Sequence, residues 1–344
     1  MRWRNLLLAA LILPGPSLRA QERGCPASAV FLALEGEVRG YTLRANGPVA
    51  PCQVLAGPDT LLSTARSIAF SRDGALHVAQ FLSNGQVNVF SPSANGNLAP
   101  LRTVFTLAND LVSIAVDSQG NDFVFSPRQG EIVFLPTGTV GTPAPRIALD
   151  AAGVTSVAID RDDNLLVAGW DQANEAFINT LGTSQSKSSP PVLRSIRGSA
   201  TGLVEGTSGW GGQVNLSIAV DPVSRELYVY NASADASTVQ ISVFSAAATG
   251  NVAPVRTIGG PATGITAPGI LGTSKIAVSS DGRLFVAEPN NRIRVFAPGA
   301  DGNVAPSQII ADATPGSAQS AQGGIAVRSC DCETRAPLRR RRLQ

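Results

Sequence analysis

Six copies of one apolar triplet constrain the fold of this chain more than any other feature of its sequence. The triplets recur about every 43 to 61 residues, at positions 68–70, 114–116, 157–159, 218–220, 276–278 and 325–327. The first five are followed by a short turn and then by further short apolar runs. Repeats of this length that contain several short apolar runs are typical of propeller blades, whereas helical solenoids show a 3.6-residue period.

A second marker follows each of the first five triplets and reads Gly-Asn-x-Ala-Pro in its clearest copies. Its copies lie at positions 96–100, 141–145, 188–191, 250–254 and 302–306. Together the two markers divide each unit into strand A (the triplet), a turn, strand B, a gap, strand C, the marker turn and strand D. Four consecutive strands joined in this way form one antiparallel blade.

The two ends of the chain complete the count of blades. The last triplet, 325–327, has no strands B to D after it. The N-terminal segment has the complementary set, with strand B at 30–33, strand C at 37–43, a turn at 46–51 and strand D at 53–55. The sequence therefore predicts an all-β, six-bladed propeller with four antiparallel strands per blade and a closing blade shared between the N- and C-termini.

One unit resembles a known repeat. Residues 276–296, IAVSSDGRLFVAEPNNRIRVF, resemble an NHL repeat, and the resemblance extends in weaker form to 68–90 and 218–244. On these residues the chain is similar to the NHL-repeat six-bladed propellers of the TolB-like propeller superfamily. The resemblance implies the fold, while for function it implies a binding platform in most relatives and an enzyme in some.

The N-terminal sequence has the pattern of a targeting signal. Arg2 and Arg4 precede an apolar run at 6–13, which is the pattern of a secretory signal peptide at 1–20. The run is far shorter than the roughly 20 apolar residues that a membrane-spanning helix needs. We therefore expect a propeller at 21–334 that is secreted or periplasmic and has no transmembrane segment.

The formal net charge of +2 hides an uneven distribution of charge. Segment 335–344 holds five arginines and predicts a basic, disordered tail, whereas acidic residues outnumber basic ones between 21 and 334. An acidic body argues against nucleic-acid binding, which needs a basic face. We expect a monomer whose partner is an unknown protein, glycan or small molecule.

The connections from strand B to C and from strand D to A share one face of a propeller, here called the loop face. Two D-to-A links, 197–216 and 259–275, are long. They begin within similar segments, RSIRGSATGL and RTIGGPATGI. Long loops in compact domains are often functional, so a shallow ligand site is predicted at the mouth of the central channel. The candidate ligand-binding residues are Trp170, Trp210, Tyr230, Asn231 and Glu288, with Glu35 and Asp171 as further polar contacts. The same side chains would also suit loop caps and hydrogen bonds between blades, and that alternative stays open.

The single histidine, His77, stands in strand B, where the other blades have apolar or aromatic residues. Its position therefore predicts a buried packing role and disfavours a catalytic base. A zinc site with several histidines is excluded, and the sequence has no Walker loop, G-x-S-x-G elbow or H-E-x-x-H motif. No catalytic residue is predicted.

Functions of different classes fit these observations. The first is an exported, non-enzymatic binding module without a cofactor. The second is a metal-dependent hydrolase that resembles the gluconolactonases, six-bladed propellers with a divalent ion in the central channel. Here Ca²⁺ or Mg²⁺ would be held by Glu35, Asp171, Asn231 and Glu288, which come from four different blades. A lyase resembling the virginiamycin-inactivating propellers is disfavoured, because those enzymes use histidine chemistry and His77 is poorly placed.

The four cysteines are Cys25, Cys52, Cys330 and Cys332. Export places them in an oxidising compartment, where an even count suggests two disulfide bonds. In the predicted closing blade Cys330 follows strand A and Cys25 precedes strand B. We therefore expect Cys25 to pair with Cys330 and Cys52 with Cys332, which would close the ring a second time.

Overall fold

The computed structural model describes residues 24–329, apart from positions 107, 128–129, 140–145, 149–152, 184–189, 207–214, 234, 236, 267–274, 289–290 and 315–322. Within these ranges the chain forms short strands and three short 3-10 turns. No helix in the described part is long and apolar enough to cross a membrane. The predicted signal peptide and basic tail lie outside the described residues.

Six antiparallel sheets form six blades, each with its strands in the order A, B, C, D. Blade one comprises Ala65–Phe70, Leu76–Gln80, Gln86–Phe90 and Arg102–Phe105; blade two, Ser113–Val116, Asp122–Ser126, Glu131–Leu135 and Arg146–Ala148; blade three, Gly153–Ile159, Leu165–Trp170, Ala176–Leu181 and Val192–Arg197. Blade four comprises Asn215–Val220, Leu227–Ala232, Val239–Phe244 and Arg256–Gly259; blade five, Ile276–Val278, Leu284–Glu288, Arg292–Phe296 and Gln308–Asp312; the closing blade, Ile325–Arg328, Ala29–Leu34, Glu37–Thr42 and Gln53–Ala56. Neighbouring A strands contact one another around the whole ring, so the predicted all-β, six-bladed propeller is confirmed.

The closing blade combines the two ends of the chain, as predicted. Its strand A, Ile325–Arg328, pairs antiparallel with Ala29–Leu34, and Ala326 lies opposite Phe31. A further short strand, Gly47–Val49, runs parallel to the outermost strand of blade five and extends that sheet. The closing blade is therefore joined to the ring at both its inner and its outer edge.

Apolar side chains fill the gaps between neighbouring blades. Strands A and B carry consecutive apolar residues because both faces of each sheet are covered by a neighbouring blade. Phe123 and Phe125 pack in the gap between blades two and three. Phe31 of the closing blade and Phe70 of blade one meet edge to face, with their ring centres 4.9 Å apart. The core is therefore distributed around the ring.

A ladder of buried serines joins the innermost strands at four of the interfaces between described blades. Each serine stands immediately before its triplet, and its hydroxyl oxygen accepts a backbone N–H from strand A of the next blade or, in blade five, from the residue just before that strand. The bonds are Ile114 to Ser67, Val157 to Ser113, Ile218 to Ser156 and Lys275 to Ser217, at 2.8 to 3.2 Å. Blade five has Lys275 at this position and the closing blade has Gly324. The serine ladder therefore stops at the two interfaces that flank the closing blade.

A second device joins three of the marker turns to the D-to-A link that precedes the same blade. In the link between blades three and four, Thr201 donates its hydroxyl to the carbonyl of Gly198 at 2.7 Å and closes a 3-10 turn. Asn251, from the marker turn of blade four, accepts the N–H of Ala200 at 2.7 Å. Gly198 has a φ of 111°, and a Cβ there would lie 2.6 Å from the Asn251 side chain. The same clamp recurs where Asn97 meets the turn Pro58–Thr60 and where Asn303 meets Pro261–Thr263.

The predicted disulfide pairing is wrong, because Cys25 is bonded to Cys52. The segment before strand B crosses strand C of the closing blade at Gly40, where a Cβ would lie 2.7 Å from the Cys25 sulfur. Cys52 lies on the far side of that strand and its backbone N–H donates to the carbonyl of Gly40 at 2.9 Å. Both cysteines therefore meet within the N-terminal part of the closing blade. Cys330 and Cys332 lie outside the described residues.

Arg328 strengthens the junction between the closing blade and blade one. Its guanidinium donates hydrogen bonds to the carbonyls of Cys25, Pro26 and Ala27 at 2.9 to 3.2 Å. It donates another to the carbonyl of Pro92 in blade one at 2.7 Å. One buried cation at the end of the C-terminal strand thus holds both the N-terminal segment and the neighbouring blade.

Removing the disulfide should lower the free energy of unfolding. The bond closes a loop with a sequence separation of 27 residues, for which the chain-entropy model gives about 3.5 kcal/mol. We expect Cys52→Ser to lose roughly this amount in a urea titration, and a non-reduced digest to link Cys25 with Cys52. A peptide linking Cys25 to Cys330 would contradict the pairing.

The clamp between blades can be tested at Asn251. Asn251→Ala removes the acceptor of the Ala200 N–H, so the free energy of unfolding should fall by about 1 kcal/mol. Asn84→Ala, at an exposed loop position, is the matched control and should change stability by much less. Equal urea midpoints for the two variants would show that the clamp does not stabilise the ring.

Candidate functional site

Four charged side chains from different parts of the ring interact where strand A begins, at the loop-face end of the central channel. They are Glu35 of the closing blade, Arg66 of blade one, Asp110 of the link between blades one and two, and Lys275 before strand A of blade five. Arg66 interacts electrostatically with Glu35, Asp110 and Lys275. We call these residues the channel-mouth cluster. Its members converge although they are far apart in sequence.

Arg66 owes its orientation to a β-bulge in the innermost strand of blade one. Ala65 pairs with Gln80 and Ser67 with Ala79, so Arg66 is the extra residue of the bulge in strand A. Bulges re-aim side chains, and they are common next to functional sites. The guanidinium carbon lies 4.9 Å from the centre of the Phe81 ring. Burial lowers the pKa of Arg66, while the neighbouring carboxylates act in the opposite direction.

Lys275 is the most unusual member of the cluster. It occupies the position of the serine ladder, and it is 6% exposed. Its backbone N–H donates to Ser217 and its carbonyl accepts the N–H of Ala287. Its amine makes no hydrogen bond or ion pair with any residue that the structure describes. Burial, assisted by the positive charge of Arg66, lowers the pKa of Lys275 to about 8.

The interaction between Lys275 and Arg66 spans the closing blade. Blades five and one are not neighbours, because strand A of the closing blade lies between them. At the position between the two cations that strand has Gly324, where a Cβ would lie 3.1 Å from the Cα of Ser67. Two positive charges on non-adjacent blades therefore interact across the inner edge of the closing blade.

Asn231, a predicted ligand-binding residue, is engaged by the protein itself. Its side-chain oxygen accepts the N–H of Val204 at 2.9 Å, and its amide donates to the carbonyl of Gly202 at 2.7 Å. At the equivalent position of two other blades, Gln80 donates to Leu61 and Ser126 donates to Asn109. All these acceptors lie in the D-to-A link that precedes the blade's own strand A. Position Asn231 therefore anchors a link.

Glu288 occupies the same position in blade five. One carboxylate oxygen lies 2.6 Å from the Arg294 guanidinium, and the carboxylate also interacts with the backbone of Thr266 in the adjacent link. The other oxygen is buried and has no hydrogen-bond partner among the described residues. Burial raises the pKa of Glu288 despite the neighbouring arginine. Its contacts resemble those of a link anchor, but they leave one oxygen unsatisfied.

The predicted aromatic contacts do not form one surface in the described part of the chain. Tyr230 is buried between blades four and five, and its hydroxyl donates to the carbonyl of Thr266 at 2.6 Å. Trp170 is half-buried between Gly153 and Gly206, where added Cβ atoms would lie 2.4 and 2.5 Å from its ring. Trp210 lies outside the described residues. Each of the two described aromatic residues therefore packs against a link of its own.

The residues of the alternative metal site are engaged elsewhere. Asp171 forms an ion pair with Arg197 and accepts the backbone N–H groups of Ala173 and Glu175 in its own turn. The hydrogen bond from Arg197 is the main reason that the pKa of Asp171 is lowered. Among the described residues, no three acidic, histidine or cysteine side chains are grouped so that they could hold a metal ion. Glu35, Asp171 and Glu288 thus do not converge.

His77 is buried between blades one and two, as the sequence predicts. It is 3% exposed, and its Nδ1 lies 2.5 Å from the Asp122 carboxylate. The other oxygen of Asp122 accepts a hydrogen bond from Arg102 at 3.1 Å. This network joins two blades away from the channel-mouth cluster.

Sequence reasoning missed Arg66, Asp110 and Lys275, although two signals pointed to Lys275. Aligned on the triplets, the preceding position is serine in four blades, and only blade five places a charged residue there. In addition, Lys187 and Lys275 are the only lysines among 27 basic residues. A lysine inside a propeller that otherwise uses arginine is therefore unusual both in type and in position.

Comparisons with known proteins do not assign the chain to a family. No protein-family model matches the chain, and no curated protein is similar to it in sequence. The resemblance to the NHL repeat accordingly stays a prediction, while the six-bladed fold rests on the six sheets of the ring. The chemistry of the candidate site rests on its own residues.

The depressed pKa of Lys275 predicts a dependence of stability on pH. The folded-state value of about 8 lies below the ordinary 10.5, so the unfolded state binds more protons between these values. Stability should therefore rise with pH across this window, and the cost at pH 7 is on the order of 3 kcal/mol at most. Lys275→Met should raise the free energy of unfolding at pH 7, and this gain should narrow by pH 9.5.

Urea titrations at pH 7 and 9.5 measure this effect. Lys187→Met is the matched control, because it removes the other lysine of the sequence. The upper pH stays below 10 because buried Tyr41 and Tyr230 have raised pKa values and would contribute in the opposite direction above it. A Lys275→Met protein that is less stable than wild type at pH 7 would contradict the prediction.

Proposed function

We propose that this protein is an exported, non-enzymatic propeller that binds a ligand at the channel mouth on its loop face. The observation that carries the proposal is the side chain of Lys275, which is 6% exposed, has no ion-pair partner among the described residues and interacts electrostatically with Arg66. A buried charge without a partner destabilises a fold. A side chain retained at such a cost is a candidate for function, particularly where charged groups from several elements converge.

Export is supported by two features. The N-terminal sequence has the pattern of a signal peptide. The bond between Cys25 and Cys52 is of a kind that persists in extracellular or periplasmic compartments and is rare in the cytosol. A secreted or periplasmic location is therefore part of the proposal.

Binding is preferred to hydrolysis on the contacts of the candidate residues. Asn231 is engaged with a link, Asp171 with Arg197 and His77 with Asp122. These side chains are thus engaged in contacts with the protein itself, whereas hydrolysis needs a positioned base, nucleophile or metal. The channel-mouth cluster, in contrast, combines charge with a half-buried aromatic ring, Phe81, on the side where loops meet solvent.

Screening of the purified propeller against glycan, peptide and metabolite panels tests the proposal. Arg66→Ala should weaken binding of any ligand found by roughly ten-fold or more, the usual effect of removing a charged contact. Arg66→Lys keeps the charge and should lose less. Arg225→Ala is the matched control, because Arg225 pairs with Asp162 between A-to-B turns on the opposite face.

Two outcomes would overturn the proposal. Affinity that is unchanged in Arg66→Ala, with the protein folded by circular dichroism, would place the ligand elsewhere. Stoichiometric Ca²⁺ or Mg²⁺ in the purified protein, together with lactone cleavage that Glu288→Gln abolishes, would favour the metal-dependent hydrolase instead.

A further inference from the structure

The choice of lysine at position 275 carries a further inference. The chain uses arginine for 25 of its 27 basic residues, and arginine would supply a permanent charge with better geometry for binding anions. Lysine differs from arginine in that its amine can lose its proton and become a nucleophile. The innermost position of blade five is therefore occupied by a lysine, which, unlike arginine, can form a covalent bond with a carbonyl compound.

We propose that Lys275 is the nucleophile of a carbonyl-binding site in the central channel, where its amine condenses with a small aldehyde or ketone to form an imine. This inference rests on the proposed function, because it names the ligand class of the same channel-mouth cluster. A small ligand is required because the side chain is 6% exposed.

The surroundings of Lys275 favour a neutral amine. No carboxylate among the described residues pairs with it, and the charged group that acts on it is the guanidinium of Arg66. Glu35 and Asp110 act on Arg66, so they do not neutralise the lysine directly. Desolvation next to another cation is a known way to activate a lysine nucleophile. With a pKa of about 8, about one tenth of the amine is unprotonated at pH 7.

The reaction needs no oxidant and no second substrate. The lone pair of the Lys275 nitrogen attacks the carbonyl carbon, and the π electrons move to the carbonyl oxygen. One proton passes from nitrogen to oxygen through solvent water and gives a carbinolamine. The hydroxyl then leaves as water with the second nitrogen-bound proton, and the C=N bond forms. One amine and one carbonyl compound thus give one imine and one water.

Reductive trapping tests the proposal on the intact propeller. The protein is incubated at pH 7 with glyoxylate and cyanoborohydride, and modification of each lysine is followed by peptide mass spectrometry. Lys187 is the internal control, because it is the only other lysine of the chain. We expect Lys275 to be modified at least about ten-fold faster than Lys187. Its rate should level off above pH 8.

Equal rates for the two lysines, or a slower rate at Lys275, would overturn the inference. Lys275→Arg should keep the circular dichroism of the propeller and the modification of Lys187, which shows that the assay works. In urea the two lysines should react equally, because the folded environment is then lost. If Lys275 fails to react while Arg66→Ala still abolishes binding of a screened ligand, the imine is wrong and the proposed binding function stands.

Discussion

The antiparallel pairing of Ile325–Arg328 with Ala29–Leu34 is the interaction on which the rest of the structure depends. The other five blades form from contiguous segments, so their pairing is local. The closing blade joins the two ends of the described chain, and such distant pairing has a larger entropic cost and a slower approach. Until it forms, blades one and five each expose an apolar face. The channel-mouth cluster depends on it as well, because Arg66 and Lys275 belong to the blades on either side.

Much of the fold follows from local sequence. The triplet and the marker turn place most strands near their observed bounds, because apolar runs and Gly-Asn turns determine structure within a few residues. The disulfide could not be read in the same way. Its pairing depends on the path of the segment before strand B across Gly40. The lack of a side chain at Gly40 leaves room for the Cys25 sulfur, and this can be recognised only once the strands are adjacent.

The candidate site was less predictable because it too depends on contacts between distant segments. A polar residue at the end of strand B can face a ligand or anchor a link, and the sequence does not distinguish these two roles for Asn231. Only the structure shows the two hydrogen bonds by which Asn231 anchors the link. The bulge at Arg66 is also not visible in the sequence, because strand A has consecutive apolar residues and therefore no alternating pattern that an extra residue would interrupt. Lys275 could have been identified from the sequence, because an alignment of the six triplets shows a charged residue before the triplet only in blade five.

The location of the channel-mouth cluster follows from where the inner hydrogen bonds end. The serine ladder joins blades one to five, and it stops at Lys275 and Gly324, on both sides of the closing blade. At these two interfaces other contacts supply stability: Arg328 binds carbonyls of the N-terminal segment and of blade one, and Arg39 forms a buried ion pair with Asp312 of blade five. These contacts lie toward the A-to-B end and the rim of the ring. They allow the channel mouth to keep a buried lysine in place of a serine, at the junction that the chain closes from its two ends.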